Sequence, residues 1–310
     1  MTERATIKEP ITLKGYDLWS FSDNLAASIQ PHRSGIEFVI GSIIVPFDIA
    51  HIEGVTGMVG ERYVRVVSQG TEVRVVEHLA SALHLAGITD ARVVMSDGAR
   101  SVPQRGAGIE AMYRLLRSQR QVTDDVPREV KVVKSSTYEF FNKRIGDMTS
   151  VCAYPSDSLD ITVLAARQPD LCALGEKPLQ VNAVYAGCEQ HLSARPLARL
   201  ATRIFHTHPI YALWRAARAV GYRGISEENY VLVTPQDTPQ TVCGKMQPCY
   251  REDMNEFLAH TLFCDFPGEL YAIGNCQIKG GFTLKNSNHL TRIDALRQFV
   301  KEGVFSLVDG

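Results

Sequence analysis

The dipeptide Glu77-His78 is the point in the sequence where two neighbouring side chains could act together in chemistry. A carboxylate can accept a proton from a reacting group, and an imidazole can bind a metal ion. Apolar residues at helical spacing over 76–86, with Gly87 as a C-cap, predict that the pair opens a helix. Adjacent helical residues project about 100° apart, so both side chains can line one cleft in different roles. The same dipeptide is also compatible with a helix-start acid that meets the helix dipole, beside a surface histidine.

A series of segments surrounds this pair and continues through the rest of the chain. In chain order they read GYDLWS (15–20), GIEF (35–38), VEHLASAL (76–83), AGITDA (86–91), RIF (203–205), EFLAH (256–260), DFPGEL (265–270), GGFT (280–283) and NSNH (286–289). Together, and in this order, they resemble the zinc-dependent UDP-3-O-acyl-N-acetylglucosamine deacetylases of lipid A synthesis. The resemblance covers nearly the whole chain and implies two α+β domains with an active site at their junction.

The resemblance also implies a metal site and a role for each residue in it. A zinc ion would be held by His78, His260 and Asp265, which leave a fourth position for water. The ion lowers the pKa of that water and polarises the carbonyl, while Glu77 takes the water proton. His289 would support the tetrahedral intermediate or pass a proton to the leaving amine. Taken one at a time, His260 could be a half-buried helix histidine, Asp265 a helix-end acid and His289 a surface histidine.

The spacing of the second and third ligands differs from that of the family. The family places them four residues apart, whereas Asp265 follows His260 by five. A five-residue step turns about 140° round a helix, against about 40° for four, and a single π-bulge can absorb the extra residue. Cys264 stands at the four-residue spacing and is the alternative ligand, since zinc also accepts a thiolate. We favour Asp265 because its spacing to Gly268 and Leu270 fits the family.

Several positions that contact the substrate in the family carry other residues here. The cleft threonine is Ile204, and an isoleucine cannot hydrogen-bond a developing oxyanion. Two lysines that meet the substrate's diphosphate in the family are replaced by Thr261 and Asn286, which removes two cations. These changes predict a substrate other than the lipid A precursor. The positions expected to contact the substrate are Trp19, Arg203, Ile204, Phe205 and Thr261.

The leading hypothesis is therefore a divergent zinc-dependent, deacetylase-like hydrolase that cleaves an amide (N-acyl) bond of a small molecule. A second hypothesis is a non-catalytic homologue with a binding or regulatory role, which Ile204, the two missing lysines and the extra residue in the ligand helix would explain. A third keeps the metal but exchanges zinc for iron(II), because two histidines and a carboxylate also bind iron in oxygen-activating enzymes. The sequence specifies neither the substrate nor the oligomeric state.

The predicted elements place the candidate residues in two successive units. Each half reads as several strands followed by a helix, a strand and a second helix. We expect an α+β fold of two domains of similar topology, residues 1–126 and 127–310, each a layer of mixed or antiparallel sheet with two helices. The helices are expected to pack between the two sheets. Predictions for the second half include a helix over 254–263, a strand over 269–278 and a final helix over 291–300.

Composition limits the classes of partner. The 310 residues are 45% apolar and 22% charged, which are ordinary proportions for a globular protein. A net charge of −1 provides no overall basic field for nucleic acid or anionic lipid. No apolar run of about eighteen residues occurs, and the N-terminus lacks the apolar core of a secretory signal. An odd count of seven cysteines without a signal suits a reducing compartment, so we expect a cytoplasmic protein with no membrane span that acts on a small molecule.

Overall fold

The computed structural model describes residues 3–15, 25–56, 62–103, 108–143, 146–165, 181–185, 202–204, 216, 219–220, 231–233 and 265–309. These residues form mixed and antiparallel sheets together with helices, which confirms the predicted α+β fold class. None of the helices in these ranges is long and apolar enough to cross a membrane.

The part of the chain before residue 123 forms two sheets and a strand pair. In order, its elements are β1 (Ala5–Ile7), β2 (Ile11–Gly15), β3 (Leu25–Pro31), β4 (Ile36–Ile40), β5 (Ile43–Pro46), β6 (Ile52–Thr56), β7 (Arg62–Ser68), β8 (Thr71–Arg74), α1 (Glu77–Ala86), β9 (Ala91–Met95), α2 (Gly108–Ser118) and β10 (Arg120–Val122). β2, β3, β9, β4 and β5 form a five-stranded sheet in that order, β6 to β8 form a three-stranded sheet, and β1 pairs with β10.

Alternating burial explains why these segments are strands. In β3, Leu25, Ala27 and Ile29 are buried while the residues between them are partly exposed, so one face of the strand lies on the core. β9 follows the same pattern and runs antiparallel to β3 and parallel to β4. α1 differs, because it is buried along nearly its whole length and contacts α2. Because protein surrounds α1 on all sides, the first residues of this helix lie in the interior of the fold.

The C-terminal part contains the largest sheet. Its described elements are β11 (Arg128–Val132), β12 (Ser136–Asn142), β13 (Asp147–Tyr154), β14 (Leu159–Ala165), β15 (Val181–Tyr185), β16 (Thr202–Ile204), β17 (Val231–Val233), α3 (265–271), β18 (Gln277–Lys285), α4 (His289–Lys301) and β19 (Phe305–Asp309). β12, β13, β18, β11 and β19 are neighbours in that order, β14 pairs with β15 and β18, and β16 pairs separately with β17. β18 therefore lies inside the sheet, with β11, β13 and β14 as its partners, and α4 begins four residues after β18 ends.

The two halves share a core although their strands pair separately. Every strand pair in the described ranges lies wholly before or wholly after the segment 123–127. The buried apolar side chains of both halves nevertheless form one continuous cluster. The division into domains 1–126 and 127–310 stays a prediction, as does the packing of helices between two sheets.

Two predicted elements near the C-terminus are corrected. Residues 269–271, predicted as the start of a strand over 269–278, are helical, and the strand begins at Gln277. The final helix is confirmed but begins at His289, because the side chain of Asn288 accepts the backbone N–H of Thr291 and caps it. The predicted helix over 254–263 lies outside the described residues.

Candidate active site

The turn into α1 fixes the positions of Glu77 and His78, which are both buried. Val75, just before the helix, has a φ of 57°, a left-handed conformation that is rare for a β-branched residue. The backbone N–H of Val76 donates to the carbonyl of Val64 at 3.2 Å, and Oε2 of Glu77 accepts the N–H of Val64 at 2.9 Å. This two-way connection to β7 holds the carboxylate and the imidazole at the start of α1.

α3 crosses α1 through a close approach of the two backbones. A Cβ atom added to Gly268 would overlap the carbonyl oxygen of Glu77 and lie 2.8 Å from the backbone nitrogen of Ser81, so only glycine fits. Nδ1 of His84 donates to the carbonyl of Pro267 at 2.9 Å, which adds a second connection. The helix that carries the Glu-His pair is thereby joined directly to a helix of the C-terminal half.

Gly268→Ala is expected to lower the free energy of unfolding by about 1–3 kcal/mol, because the new methyl group overpacks a contact between backbone atoms. Urea unfolding followed by circular dichroism measures this loss. Gly274→Ala is the matched control, since the three atoms nearest to its added Cβ belong to side chains, the closest on Val130 at 3.2 Å, and none to the backbone. Equal losses in the two variants would contradict the assignment of Gly268 as a required close contact.

Asp265 brings a carboxylate between two histidines. Its Oδ1 lies 3.5 Å from Nε2 of His78, and its Oδ2 lies 3.8 Å from Nε2 of His289. Asp265 is buried, and its Oδ1 has no hydrogen-bond partner among the described residues. Burial alone would raise the pKa of Asp265, but the contact with His78 and the charges of His289 and Arg292 outweigh it and hold the pKa below its usual value. A lowered pKa favours the ionised form, which is the form that binds a metal ion.

Glu77 faces the same region, but its pKa is shifted in the opposite direction from that of Asp265. Its Oε1 lies 3.8 Å from Nε2 of His78. Burial raises the pKa of Glu77, and the nearby charge of Asp265 adds to the increase, against the opposing effects of His78 and His289. A carboxyl group whose pKa is shifted upwards is a better proton acceptor near neutral pH than an ordinary exposed one.

His289 is held by a buried ion pair. Glu269 is fully buried, and both of its oxygens accept hydrogen bonds from Arg292, at 2.7 and 2.6 Å. Nδ1 of His289 lies 2.6 Å from Oε1 of Glu269. Nη2 of Arg292, which can only donate, also lies 2.9 Å from Nδ1, whereas an ionised carboxylate can only accept. The shorter contact with Glu269 favours a proton on Nδ1, which leaves Nε2 directed at Asp265.

His78 and Asp265 are spaced as two ligands of one zinc ion. Tetrahedral ligand atoms at zinc bond lengths of about 2.0–2.1 Å lie about 3.4 Å apart, and Nε2 of His78 is 3.5 Å from Oδ1 of Asp265. The buried Oδ1, which has no hydrogen bond from the described part of the chain, is an atom that a cation would satisfy. Both residues therefore fit a metal. Within the described ranges, no group of three or more histidine, cysteine or acidic side chains is close enough to hold an ion.

The structure brings together four of the residues singled out in the sequence, namely Glu77, His78, Asp265 and His289. Arg203 and Ile204 lie in β16, with side chains that are not described. The remaining predicted positions lie outside the described residues; they are Trp19, Phe205, His260, Thr261 and Cys264. The ligand and substrate assignments at these positions stay predictions.

The sequence interpretation missed Glu269 and Arg292. Glu269 follows Asp265 by four residues, and Arg292 follows His289 by three, which are the spacings of neighbours on a helix face. The three-residue spacing could have identified Arg292, because α4 is predicted as a helix from the sequence. The four-residue spacing could not have identified Glu269, because the end of α3 is predicted as a strand.

The fold and these side chains define a class. An α+β protein that groups a buried glutamate, a buried aspartate and two histidines has the composition of a metal-dependent hydrolase site. The sequence model of the UDP-3-O-acyl N-acetylglycosamine deacetylase family matches residues 4–301. The match covers nearly the whole chain, so the chain belongs to this family, as its motifs predicted. Members of the family are deacetylases of an N-acyl amide bond and generally depend on zinc. No curated protein matches the chain.

Proposed function

We propose that the chain is a zinc-dependent, deacetylase-like hydrolase that cleaves an N-acyl amide bond of a small molecule other than the lipid A precursor. The observation that supports this function is the convergence of four side chains, those of Glu77, His78, Asp265 and His289. Oxygen and nitrogen atoms of successive pairs in this order lie 3.5 to 3.8 Å apart. A base, two candidate ligands and a second imidazole in one buried region are the groups that amide hydrolysis requires.

In this proposal His78, His260 and Asp265 hold the zinc ion, with Cys264 as the alternative to Asp265. We favour Asp265 because its carboxylate is buried and its Oδ1 faces Nε2 of His78 at 3.5 Å. When bound, the ion supplies Lewis acidity, which lowers the pKa of water and polarises the carbonyl group.

The protein groups then divide the proton transfers between them. Glu77 takes the proton of the attacking water at Oε1, because Oε2 already accepts the N–H of Val64. The water oxygen bonds to the carbonyl carbon, and the carbon–nitrogen bond breaks. His289 in its doubly protonated form passes the Nε2 proton to the departing nitrogen, while Nδ1 remains bonded to Glu269. The acyl group leaves as an acid and the nitrogen as an amine, and Glu77 and His289 return to their starting states by exchange with solvent.

The surroundings of Asn286 support a substrate without a diphosphate at this point. Its Nδ2 donates to the carbonyl of Met148 at 2.9 Å and to the carboxylate of Asp147 at 3.2 Å. Nζ of the adjacent Lys285 lies 3.2 Å from the same carboxylate. The amide that replaces a family lysine is thus held by β13, and the neighbouring positive charge is already paired.

Metal analysis of the full chain, purified without a chelator, tests the proposed cofactor. We expect about one zinc ion per chain, and a small fraction of this in His78→Ala. His32→Ala is the matched control, because its ring contacts Ser34 and Glu37 rather than the site. Negligible metal in all three proteins would contradict the zinc site, and stoichiometric iron would favour the iron(II) alternative.

The substrate part of the proposal is tested by hydrolysis of 3-O-acyl-N-acetylglucosamine with and without the UDP group, followed as released acetate. The zinc-loaded chain is expected to lose little activity when UDP is removed, because a diphosphate would meet no unpaired cation at position 286. A strong preference for the UDP-linked compound would contradict the substrate assignment and leave the hydrolase assignment intact.

A further inference from the structure

Arg292 is buried one helical turn from His289, on the same side of α4. Residues three apart on a helix are neighbours, and here the two side chains share one partner. Nε of Arg292 donates to Oε2 of Glu269 at 2.7 Å, and its Nη2 donates to Oε1 at 2.6 Å. Nδ1 of His289 lies 2.6 Å from the same Oε1 and 2.9 Å from Nη2 of Arg292. A single carboxylate therefore connects α3 to two residues of α4.

Burial of the Arg292 guanidinium carries a large desolvation cost, so stability alone does not explain its position. Only 1% of its side chain is exposed, and removing a guanidinium from water costs free energy even when it is paired. Its Nη1 is buried without a hydrogen-bond partner among the described residues. Apolar side chains of similar size often stabilise a protein as well as a buried ion pair does. A function beside the reacting groups explains the arginine better than stability.

Charge balance gives a second reason for its position. Glu77, Asp265 and Glu269 bring three buried carboxylates into one region. The guanidinium of Arg292 interacts electrostatically with Asp265 and Glu77 as well as with Glu269. Among the described residues, Arg292 thus supplies a fixed positive charge beside these carboxylates, to which the proposed zinc ion would add two more.

We propose that Arg292 is a positioning residue for His289, an inference whose catalytic meaning rests on the proposed hydrolase function. By holding both oxygens of Glu269, Arg292 fixes the oxygen that accepts the Nδ1 proton of His289. The imidazole is then held with Nε2 directed at Asp265, 3.8 Å from Oδ2, where the leaving nitrogen has to receive its proton. Lysine cannot replace the arginine, because an ammonium group is a point charge without the planar fork.

The inference is tested on the full, zinc-loaded chain labelled with nitrogen-15 histidine. NMR follows the proton on Nδ1 of His289, which is assigned by its absence from His289→Gln. Arg292→Lys is compared with Arg297→Lys, a matched change on the same helix whose guanidinium bonds the carbonyls of Ile49 and Ile52. We expect the resonance to be lost to exchange with water in Arg292→Lys and to persist in Arg297→Lys.

Hydrolysis of 3-O-acyl-N-acetylglucosamine provides the second measurement. Residues that orient a reactive group through another side chain typically change activity by about 10- to 100-fold. Arg292→Lys should lower kcat by this factor with KM unchanged, and Arg297→Lys should change neither. If Arg292→Lys does not fold, Arg292→Gln, which also keeps Glu269, should show the same loss of the Nδ1 resonance.

The outcomes separate this inference from the proposed function. A resonance that is absent from the unmodified protein, unchanged in Arg292→Lys, or lost equally in both arginine variants would overturn the positioning role. The expected change in the resonance without any hydrolysis by the unmodified chain would support the positioning role and contradict the proposed function.

Discussion

Glu77→Gln is expected to lower kcat for amide hydrolysis by about 100- to 10,000-fold, the usual contribution of a positioned general base, while zinc remains bound. Glutamine keeps an oxygen that can accept the N–H of Val64, so the turn into α1 should persist. It cannot take a proton from water, so only the chemical step should suffer. Steady-state kinetics together with zinc content of the same preparation measure both parts of this expectation.

Glu129→Gln is the control for loss of a buried glutamate. Glu129 is almost fully buried and paired with Lys131 and Lys279, in the part of the sheet formed by β11 and β18. Its variant should keep the rate of the unmodified protein. A Glu77→Gln variant that retained full function would favour the non-catalytic homologue, because a binding protein has no use for the proton transfer.

Asp265→Ala is expected to reduce zinc affinity by more than about 100-fold, since even residues behind the ligands change affinity by 10- to 100-fold. The reason is the 3.5 Å separation between its Oδ1 and Nε2 of His78, which suits two ligands of one ion. Cys264→Ala should retain zinc. Competition with a chromogenic chelator measures the affinities of both variants.

The comparison of these two variants decides the third ligand. Loss of zinc in Cys264→Ala with retention in Asp265→Ala would make the thiolate the ligand and leave Asp265 as a neighbour of the two histidines. Loss in neither variant would show that the ion is bound elsewhere.

Local sequence was sufficient to predict the fold class and the helix that begins at Glu77. Apolar spacing and Gly87 define α1, and the structure places the left-handed C-cap at this glycine. The candidate site could be predicted as far as Glu77, His78, Asp265 and His289, because each stands in a motif whose order resembles the family. Their proximity is a property of the folded chain and appears only in the distances.

The failure at α3 has a local cause. Leu270 to Ile273 is a short apolar run, and periodicity cannot distinguish a strand from a buried helix over so few residues. No local pattern indicated a role for Glu269, since its partners His289 and Arg292 lie 20 and 23 residues further along the chain. The buried ion pair is a long-range interaction, and a single sequence contains no local pattern that specifies it.

The left-handed conformation of Val75, with its φ of 57°, also bears on how the site can move. Such a conformation costs about 1–3 kcal/mol, and the cost falls on the folded chain alone. Glycine would adopt it freely but would let β8 and α1 pivot about the junction. A β-branched residue there restricts this pivoting, so Glu77 and His78 keep one orientation at the start of α1, which the proposed proton transfer would need.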